Sequence, residues 1–149
     1  MAVGVLFFNE KEELLIVKPV YKNHWTLTGG VVDEIESPLQ ACVREAKEEI
    51  GTELQNTKFL CVDYTTAQEE KNESLQFIFY GGILNRNQIT NIKLADGEIG
   101  EFRFAKVEEA IPLLSEKLGK RLPKCIESIK SGTAVYLENG EFVILKSDY

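Results

Sequence analysis

The segment from Gly30 to Thr52 constrains this chain most, because it predicts a loop that leads into one short, acidic, amphipathic helix. Ser37 is a suitable N-cap, and Pro38 fits the first helical position without losing a needed hydrogen-bond donor. Gln40 stands where it completes a capping box with the N-cap residue. Gly51 offers the left-handed conformation that commonly ends a helix. Start and stop signals therefore agree on a single helix of about thirteen residues.

The predicted helix, from about Pro38 to Ile50, has two different faces. At about 100° per residue, one face is apolar and the other carries three carboxylates. The apolar face consists of Leu39, Cys42, Val43, Ala46 and Ile50. The acidic face consists of Glu45, Glu48 and Glu49, and only Arg44 and Lys47 stand beside it. Carboxylates at three- and four-residue spacing repel one another, so this face favours the binding of a cation.

A run of glutamates on a helix is usually only a solvated surface. The spacing around the helix argues against it. Gly30 is followed by five residues and Glu36, and after seven more residues by the segment REAKEEIGT, which begins at Arg44. A chance match to the seven fixed residues is on the order of 10⁻⁷ per starting position at ordinary residue frequencies. The pattern resembles the Nudix box of the Nudix hydrolase family.

The resemblance implies the chemistry of the acidic face. It assigns Glu45, Glu48 and Glu49 as metal ligands, Glu36 as an auxiliary acidic ligand, and Arg44 as the residue that holds the carboxylates in place. The implied cofactor is Mg²⁺, with Mn²⁺ as an alternative, since hard cations prefer carboxylate oxygens and retain several waters. Such an ion would lower the pKa of a bound water and neutralise charge on phosphate oxygens. Because it holds the carboxylates in place, Arg44 is counted among the catalytic residues that the resemblance implies.

The general base is left open between several glutamates. Glu48 and Glu49 are candidates because the family varies in which residue deprotonates the water. Glu98 is another candidate for the base or for an extra metal ligand, since the family often has a glutamate just before a strand at this point. The alternative is that Asp96, Glu98 and Glu101 are solvated loop charges.

Candidate substrate-binding residues precede the box. Gly29 and Gly30 allow the backbone to turn tightly and to approach a ligand above the helix. Tyr21 and Lys18 are candidates for contacts to a base or a phosphate, and Trp25 lies on the strand that leads to the glycines. Each has a plainer alternative, since a tryptophan often belongs to the core and lysines near a hairpin are usually solvated.

Three residues depart from the usual pattern of the family. Thr28 stands where a proline often precedes the two glycines, Ile35 where a glycine is common, and Thr52 where the box ends in an apolar residue. None of them removes a metal ligand. Ile35 puts the loop geometry in question, because a β-branched residue tolerates positive φ poorly.

Length and charge fit a small enzyme. The chain has 149 residues, of which 44% are hydrophobic, so we expect one domain over residues 1–149. The net charge of −7 argues against nucleic acid and against an anionic membrane as partners. The three cysteines are odd in number and lie in apolar patterns, which predicts buried free thiols and a cytoplasmic protein. The apolar start lacks a positive leading region and is not expected to be a signal peptide.

Strands and helices alternate irregularly along the chain. The predicted strands are Ala2–Phe8, Leu14–Lys18, Trp25–Thr28, Thr57–Ala67, Ser74–Leu84, Phe102–Val107, Thr133–Leu137 and Glu141–Leu145. The predicted helices besides the acidic one are Glu108–Leu118, split at Pro112, and a segment from Leu122 to Ile129 that Gly132 closes. Residues 85–100 are expected to form a long polar loop. Hairpins exclude a purely parallel sheet, and the resemblance implies an α/β/α sandwich with a mixed, partly antiparallel sheet.

The expected function is metal-dependent cleavage of the pyrophosphate bond in a nucleoside diphosphate linked to another moiety, a small-molecule substrate. The alternative is a binding module of the same fold that senses a nucleotide without cleaving it. The intact set of Arg44 and three box glutamates favours the enzyme, because binding alone does not need that set. The loops that would select the substrate carry no specific signature, and the resemblance makes a homodimer a reasonable expectation.

Overall fold

The structure is a computed structural model, and it describes residues 1–144. Eight strands occur in this range: β1 Ala2–Phe8, β2 Leu14–Pro19, β3 Thr28–Val31, β4 Lys58–Thr65, β5 Ser74–Ile83, β6 Ile99–Ala105, β7 Val135–Glu138 and β8 Glu141–Phe142. The α-helices are α1 Pro38–Ile50, α2 Arg86–Thr90, α3 Val107–Ala110 and α4 Glu116–Ser131, and a 3₁₀ turn at Ile111–Leu113 joins α3 to α4.

All eight strands belong to one mixed sheet. Its order is β6-β2-β1-β5-β4-β7-β8, and β3 pairs with β1 beside β2. The pairs β1–β5 and β4–β7 are parallel, whereas the other pairs are antiparallel. Strand β1 therefore lies at the centre, and its first residues pair with β3 on one side and with β5 on the other. The predicted mixed sheet is confirmed.

Side chains alternate along the central strands and form a core on each face of the sheet. On β1, Leu6 belongs to the core under α3 and α4, whereas Val5 and Phe7 belong to the core under α1. On β2, Ile16 belongs to the core under α3 and α4, and Val17 belongs to the core under α1. Helices thus cover both faces, which confirms the α/β/α sandwich. The three cysteines are buried and free, as the sequence predicts.

Helix α1 begins and ends at the predicted residues. Ser37 accepts a hydrogen bond from the Gln40 N–H and donates its own N–H to the Gln40 side chain, which is the predicted capping box. Gly51 has φ 71° and ends the helix in the left-handed conformation. The predicted apolar face is wrong in part, because Leu39 and Val43 are exposed. They are exposed because the helix contacts the sheet along a narrower strip rotated toward its acidic side, so that a glutamate takes part in the buried surface.

The strand predicted at Trp25–Thr28 lies later in the chain. Trp25 and Thr26 form only isolated bridges, and β3 itself contains Gly29 and Gly30. The two glycines pair with β1 instead of forming a turn. A Cβ at Gly29 would lie 2.0 Å from the Val3 carbonyl oxygen, so the close approach of these two strands requires glycine. The close pairing of β3 with β1, and not a turn, accounts for the two glycines.

Residues 85–100 are not the structureless loop that the sequence predicts. Asn85 caps the short helix α2 through a second capping box with Gln88. Beyond α2, the N–H of Lys93 donates to the Ile50 carbonyl, and the N–H of Ala95 donates to the Glu49 carbonyl. These bonds tie the segment to the end of α1. Strand β6 accordingly starts at Ile99, three residues before its predicted start.

The last third of the chain follows its local signals. The segment predicted as one split helix is α3, the 3₁₀ turn and the start of α4, which Ser115 caps and Gly132 ends. The hairpin around Asn139 and Gly140 is confirmed for residues 135–142. The predicted end of its second strand, Leu145, lies outside the described residues. Within residues 1–144, every helix falls short of the length and apolar character needed to cross a bilayer.

Candidate active site

A pocket of about 480 Å³ opens at the edge of the sheet where β1 and β5 begin. Helix α1 borders it from one layer of the sandwich, and helix α4 borders it from the other. The polar residues that face it from these sides include Glu45, Glu49, Gln76, Glu98 and Arg121. Its location follows from the fold, since at this edge α1 packs on the glycine-rich strand β3 and residues of α4 approach from the other face.

One wall of the pocket is acidic. Glu45 and Glu49 come from α1, and Glu98 comes from the segment just before β6. Oε1 of Glu49 accepts a hydrogen bond of 2.6 Å from the N–H of Gly29. The pKa of Glu49 is raised to about 8, chiefly by burial; the hydrogen bond from the Gly29 N–H opposes the shift, and the neighbouring charges of Glu45 and Glu98 add to it. Burial also raises the pKa of Glu45, although Arg44 opposes this.

Gly30 makes room for the acidic wall. A Cβ at this position would lie 2.5 Å from Oε1 of Glu45, which is closer than any side chain tolerates. The carboxylate therefore lies directly against the backbone of β3. The spacing between Gly30 and α1 in this chain places Glu45 opposite the glycine, where a larger residue would displace the carboxylate.

Arg44 connects the loop to the carboxylates. Its Nε and Nη2 donate to the two oxygens of Glu36 at 2.7 and 2.9 Å, and Nη1 donates to Glu45 at 2.9 Å and to Glu48 at 3.2 Å. Nη2 also donates to the Val31 carbonyl at 3.0 Å. The hydrogen bond from Arg44 is the main reason that the pKa of Glu36 falls to about 2. One guanidinium thus orients three glutamates and the strand end.

Two predicted metal ligands lie outside the pocket lining. Both oxygens of Glu36 are bonded to Arg44, and Oε1 accepts a further bond from the Asp33 N–H. The side chain of Glu48 is 55% exposed and is bonded to Arg44. In these positions the two glutamates hold Arg44, and their role as metal ligands stays a prediction.

The predicted substrate residues divide into two groups. Gly29, Gly30 and Tyr21 line the pocket, with Tyr21 exposed at its rim. Lys18 and Trp25 do not line it. Lys18 lies opposite Glu101 in the β2–β6 pair. Trp25 packs against the core, with the Arg103 guanidinium 5.8 Å from its ring centroid.

Ile35 adopts the left-handed conformation that its sequence position called into question. Its φ is 56°, and its side chain is fully exposed. The box loop therefore keeps a backbone conformation that suits glycine in spite of the β-branched residue, which costs on the order of 1 to 3 kcal/mol. Thr28 and Thr52, the other two departures, are buried.

The sequence analysis missed the residues at the far end of the pocket. Gln76 and Leu118 line it there together with Arg121. Arg121 is buried and forms a 2.7 Å ion pair with buried Asp63. A signal was present, because Arg121 follows Leu118 by three residues on the apolar face of α4, where a charge needs a partner.

The acidic wall fits a divalent cation in chemistry and place. Three carboxylates, Glu45, Glu49 and Glu98, face one pocket, and hard cations such as Mg²⁺ bind carboxylate oxygens. Burial raises the pKa of both Glu45 and Glu49, and a bound cation would favour their ionised forms. As they are placed, no three acidic, histidine or cysteine side chains in residues 1–144 converge on one point.

Comparisons of the sequence and of the fold with known proteins point to one family. The NUDIX domain family matches residues 1–128. The 8-oxo-dGDP phosphatase NUDT18 of Danio rerio is 38% identical over 80 residues, 52% of this chain and 23% of that protein. An RNA pyrophosphohydrolase of Ruthia magnifica subsp. Calyptogena magnifica is 36% identical over 58 residues, 39% of this chain and 32% of that protein. The chain thus spans a third or less of these two relatives.

A solved structure shows the same fold over nearly the whole chain. The MutT protein from Methanosarcina mazei Go1 superposes with a TM-score of 0.70 and 20% identity, and the match covers 89% of this chain and 94% of that chain. At this identity the likeness concerns the fold alone. The family match covers far more than half of the chain, and it includes the whole of α1 and the acidic wall. The chain belongs to the NUDIX domain family.

Proposed function

We propose that this chain is a metal-dependent hydrolase that cleaves the pyrophosphate bond of a nucleoside diphosphate linked to another moiety. The acidic wall carries this proposal. Glu45, Glu49 and Glu98 face a pocket whose rim is the glycine-rich strand β3, and Arg44 holds Glu45 in place. A solvated acidic helix would not bury Glu49 to 7% exposure or aim it at a backbone N–H.

A divalent cation, Mg²⁺ or Mn²⁺, is part of the proposal. Glu45, Glu49 and Glu98 would hold it from the pocket side, with Glu48 and Glu36 as the further ligands that the box implies. When bound, the cation would supply charge neutralisation and an acidified water.

The residues of the chain orient and polarise the reactants. Arg44 fixes the rotamer of Glu45 by donating to its Oε1, and it keeps Glu36 ionised. Glu49 and Glu98 line the pocket, so either can accept a proton from a water that lies there, whereas Glu48 is directed toward Arg44. The missing side chains of Gly29 and Gly30 let a phosphate approach the backbone of β3.

The substrate class is proposed from the pocket and from the relatives together. The relatives named above are a phosphatase for 8-oxo-dGDP and a pyrophosphohydrolase for RNA, and both names describe phosphate chemistry on nucleotides. Tyr21 and Lys22 at the rim can contact a base or a phosphate, and the cation of Lys22 lies 5.8 Å from the Tyr21 ring centroid. A small-molecule substrate fits the size of the pocket.

A hydrolysis screen with product identification tests the proposal. We expect metal-dependent turnover of at least one compound in a panel of nucleoside diphosphate derivatives, with Mg²⁺ or Mn²⁺ supplied and then removed with EDTA. Glu49→Gln should lower kcat at least about 100-fold, since a positioned proton acceptor contributes roughly 10²- to 10⁴-fold. Glu48→Gln tests the second predicted catalytic residue.

Glu53→Gln is the matched control, because Glu53 is exposed just after α1 and does not line the pocket. Its turnover should equal that of the wild type. No metal-dependent turnover of any compound in the panel would contradict the proposal. Tight binding of a compound that stays intact would instead support the nucleotide-sensing alternative.

We also propose one domain over residues 1–149, a cytoplasmic location and a homodimer. The continuous sheet from β6 to β8 supports the single domain. Three buried free thiols are typical of a reducing compartment. The homodimer is supported by the sequence resemblance alone and is measured by light scattering.

A further inference from the structure

A buried ion pair lies at the end of the pocket away from the acidic wall. Nε of Arg121 donates to Oδ2 of Asp63 at 2.7 Å, and Oδ1 of Asp63 accepts the N–H of Gly140 at 3.0 Å. The side chains are 8% and 0% exposed. Because both carboxylate oxygens are engaged, the orientation of the guanidinium is fixed by its surroundings.

The ion pair with Asp63 uses Nε of Arg121 and leaves its two Nη groups unengaged. Within residues 1–144, neither of them donates a hydrogen bond to the protein. In that same range, Thr28 Oγ1 is the one side-chain polar atom that is both sealed from solvent and without a partner. The Nη groups therefore reach open space, and the pocket that Arg121 lines is that space. Donors that open into a pocket and have no protein partner are free to bind a ligand that lies there.

The charge at this end favours a neutral ligand over an anion. Asp63 neutralises Arg121 at direct contact, so a phosphate would meet no net positive charge there. What remains is a rigid planar pair of N–H donors. Arginine has no acceptor atom, so this edge selects a ligand that presents two neighbouring acceptors and rejects one that presents a donor.

The surface beside Arg121 suits a flat aromatic ligand. Ala2 on β1 offers almost no side chain, and Ile78, which lies against Gly4, and Leu118 line the same part of the pocket with apolar groups. Gln76 lies directly opposite Asp63 in the β4–β5 pair and adds an amide on the same face. A flat ring can therefore lie against the strands while its edge meets the guanidinium.

We propose that Arg121 is a specificity-determining residue that recognises a 6-oxopurine base, guanine or hypoxanthine, by donating its two Nη groups to O6 and N7. Adenine is disfavoured, because it places an amino donor where O6 stands in guanine. The inference rests on the proposed function in so far as the base belongs to the nucleotide substrate. It names which base the pocket accepts.

Equilibrium binding of nucleoside monophosphates tests the proposal independently of turnover, since these compounds contain no anhydride bond to cleave. Dissociation constants for GMP, IMP, AMP and 7-deaza-GMP would be measured by calorimetry with Mg²⁺ present. For the wild type we expect GMP and IMP to bind about 5- to 150-fold more tightly than AMP, the range of one two-acceptor contact. The 7-deaza compound, which lacks the N7 acceptor, should fall between GMP and AMP.

Arg121→Lys keeps a cation beside Asp63 but removes the planar donor pair. We expect this variant to lose most of the preference for GMP over AMP. Arg103→Lys is the matched control, because Arg103 lies over Trp25 outside the pocket, and its preference should equal that of the wild type. Thermal unfolding verifies that both variants are folded.

The wild-type measurement keeps the test decisive if the lysine variant does not fold. Equal binding of GMP and AMP by the wild type, or an unchanged preference in folded Arg121→Lys, would overturn the proposal. Turnover without base preference would overturn the assignment of Arg121 and leave the hydrolase intact. Base preference without turnover of any diphosphate would overturn the proposed hydrolase and leave the assignment of Arg121 intact.

Discussion

The side chain of Glu49 shows how the acidic wall affects the stability of the protein. Its pKa rises from 4.5 to about 8, chiefly through burial. An acid with a raised folded-state pKa holds its proton more tightly in the folded than in the unfolded chain. Its contribution to stability is therefore present below pH 4.5 and is lost as the pH rises through 8.

We predict that Glu49→Gln stabilises the metal-free protein at pH 8 and not at pH 5. The glutamine keeps an acceptor for the Gly29 N–H but removes the buried charge. The expected gain at pH 8 is about 1 to 3 kcal/mol, measured by urea unfolding in EDTA. Glu53→Gln, which changes an exposed charge, should leave the stability unchanged at both pH values. An equal effect of Glu49→Gln at pH 5 and pH 8 would refute the titration of Glu49.

The hairpin β7–β8 holds the buried ion pair through its turn. Gly140 has φ 79°, and its N–H donates to Asp63. A Cβ at Gly140 would lie 3.0 Å from the Lys120 Cβ on α4. The turn thus fits closely against the helix that carries Arg121. Local signals predicted the turn, but its contact with α4 depends on residues far apart in the chain.

We predict that Gly140→Ala destabilises the protein more than Gly132→Ala. Both glycines have nearly the same positive φ, 79° and 74°, but a Cβ at Gly132 would meet no atom within 4 Å. The strain from φ alone costs about 1 kcal/mol in each variant, and the clash with α4 adds on the order of 1 kcal/mol for Gly140. Thermal unfolding gives the difference. Equal losses would show that the turn does not press on α4.

The capping residues predicted α1, and the box spacing drew attention to Glu45 and Glu49, which line the pocket, because these signals are local. The rest depends on contacts between distant segments. The packing of α1 against the sheet determines that Val43 is exposed. Because Gly29 pairs with β1, β3 lies later in the chain than the predicted strand. Arg121 and Asp63 are 58 residues apart, and no local rule joins them. The metal-binding roles of the glutamates stay predictions.

The pair Asp63–Arg121 connects strand β4, helix α4 and the final hairpin, so it bears on the whole molecule. We predict that Asp63→Asn and Arg121→Gln each cost about 3 to 5 kcal/mol, since each leaves one buried charge without its partner. The double variant should cost clearly less than the sum of the two. Lys124→Gln is the control, because it removes an ion pair with the exposed side chain of Glu141 and should cost little stability. Additive losses in the double variant would contradict direct coupling.

The pocket lies where the two helical layers meet at one edge of the sheet. The residues proposed to act on the phosphates come from α1, β3 and the segment just before β6, and the residue proposed to select the base comes from α4. Substrate choice and bond cleavage are thereby assigned to separate parts of the sandwich. Substitutions on α4 would then alter the base preference without touching the residues proposed to cleave the anhydride.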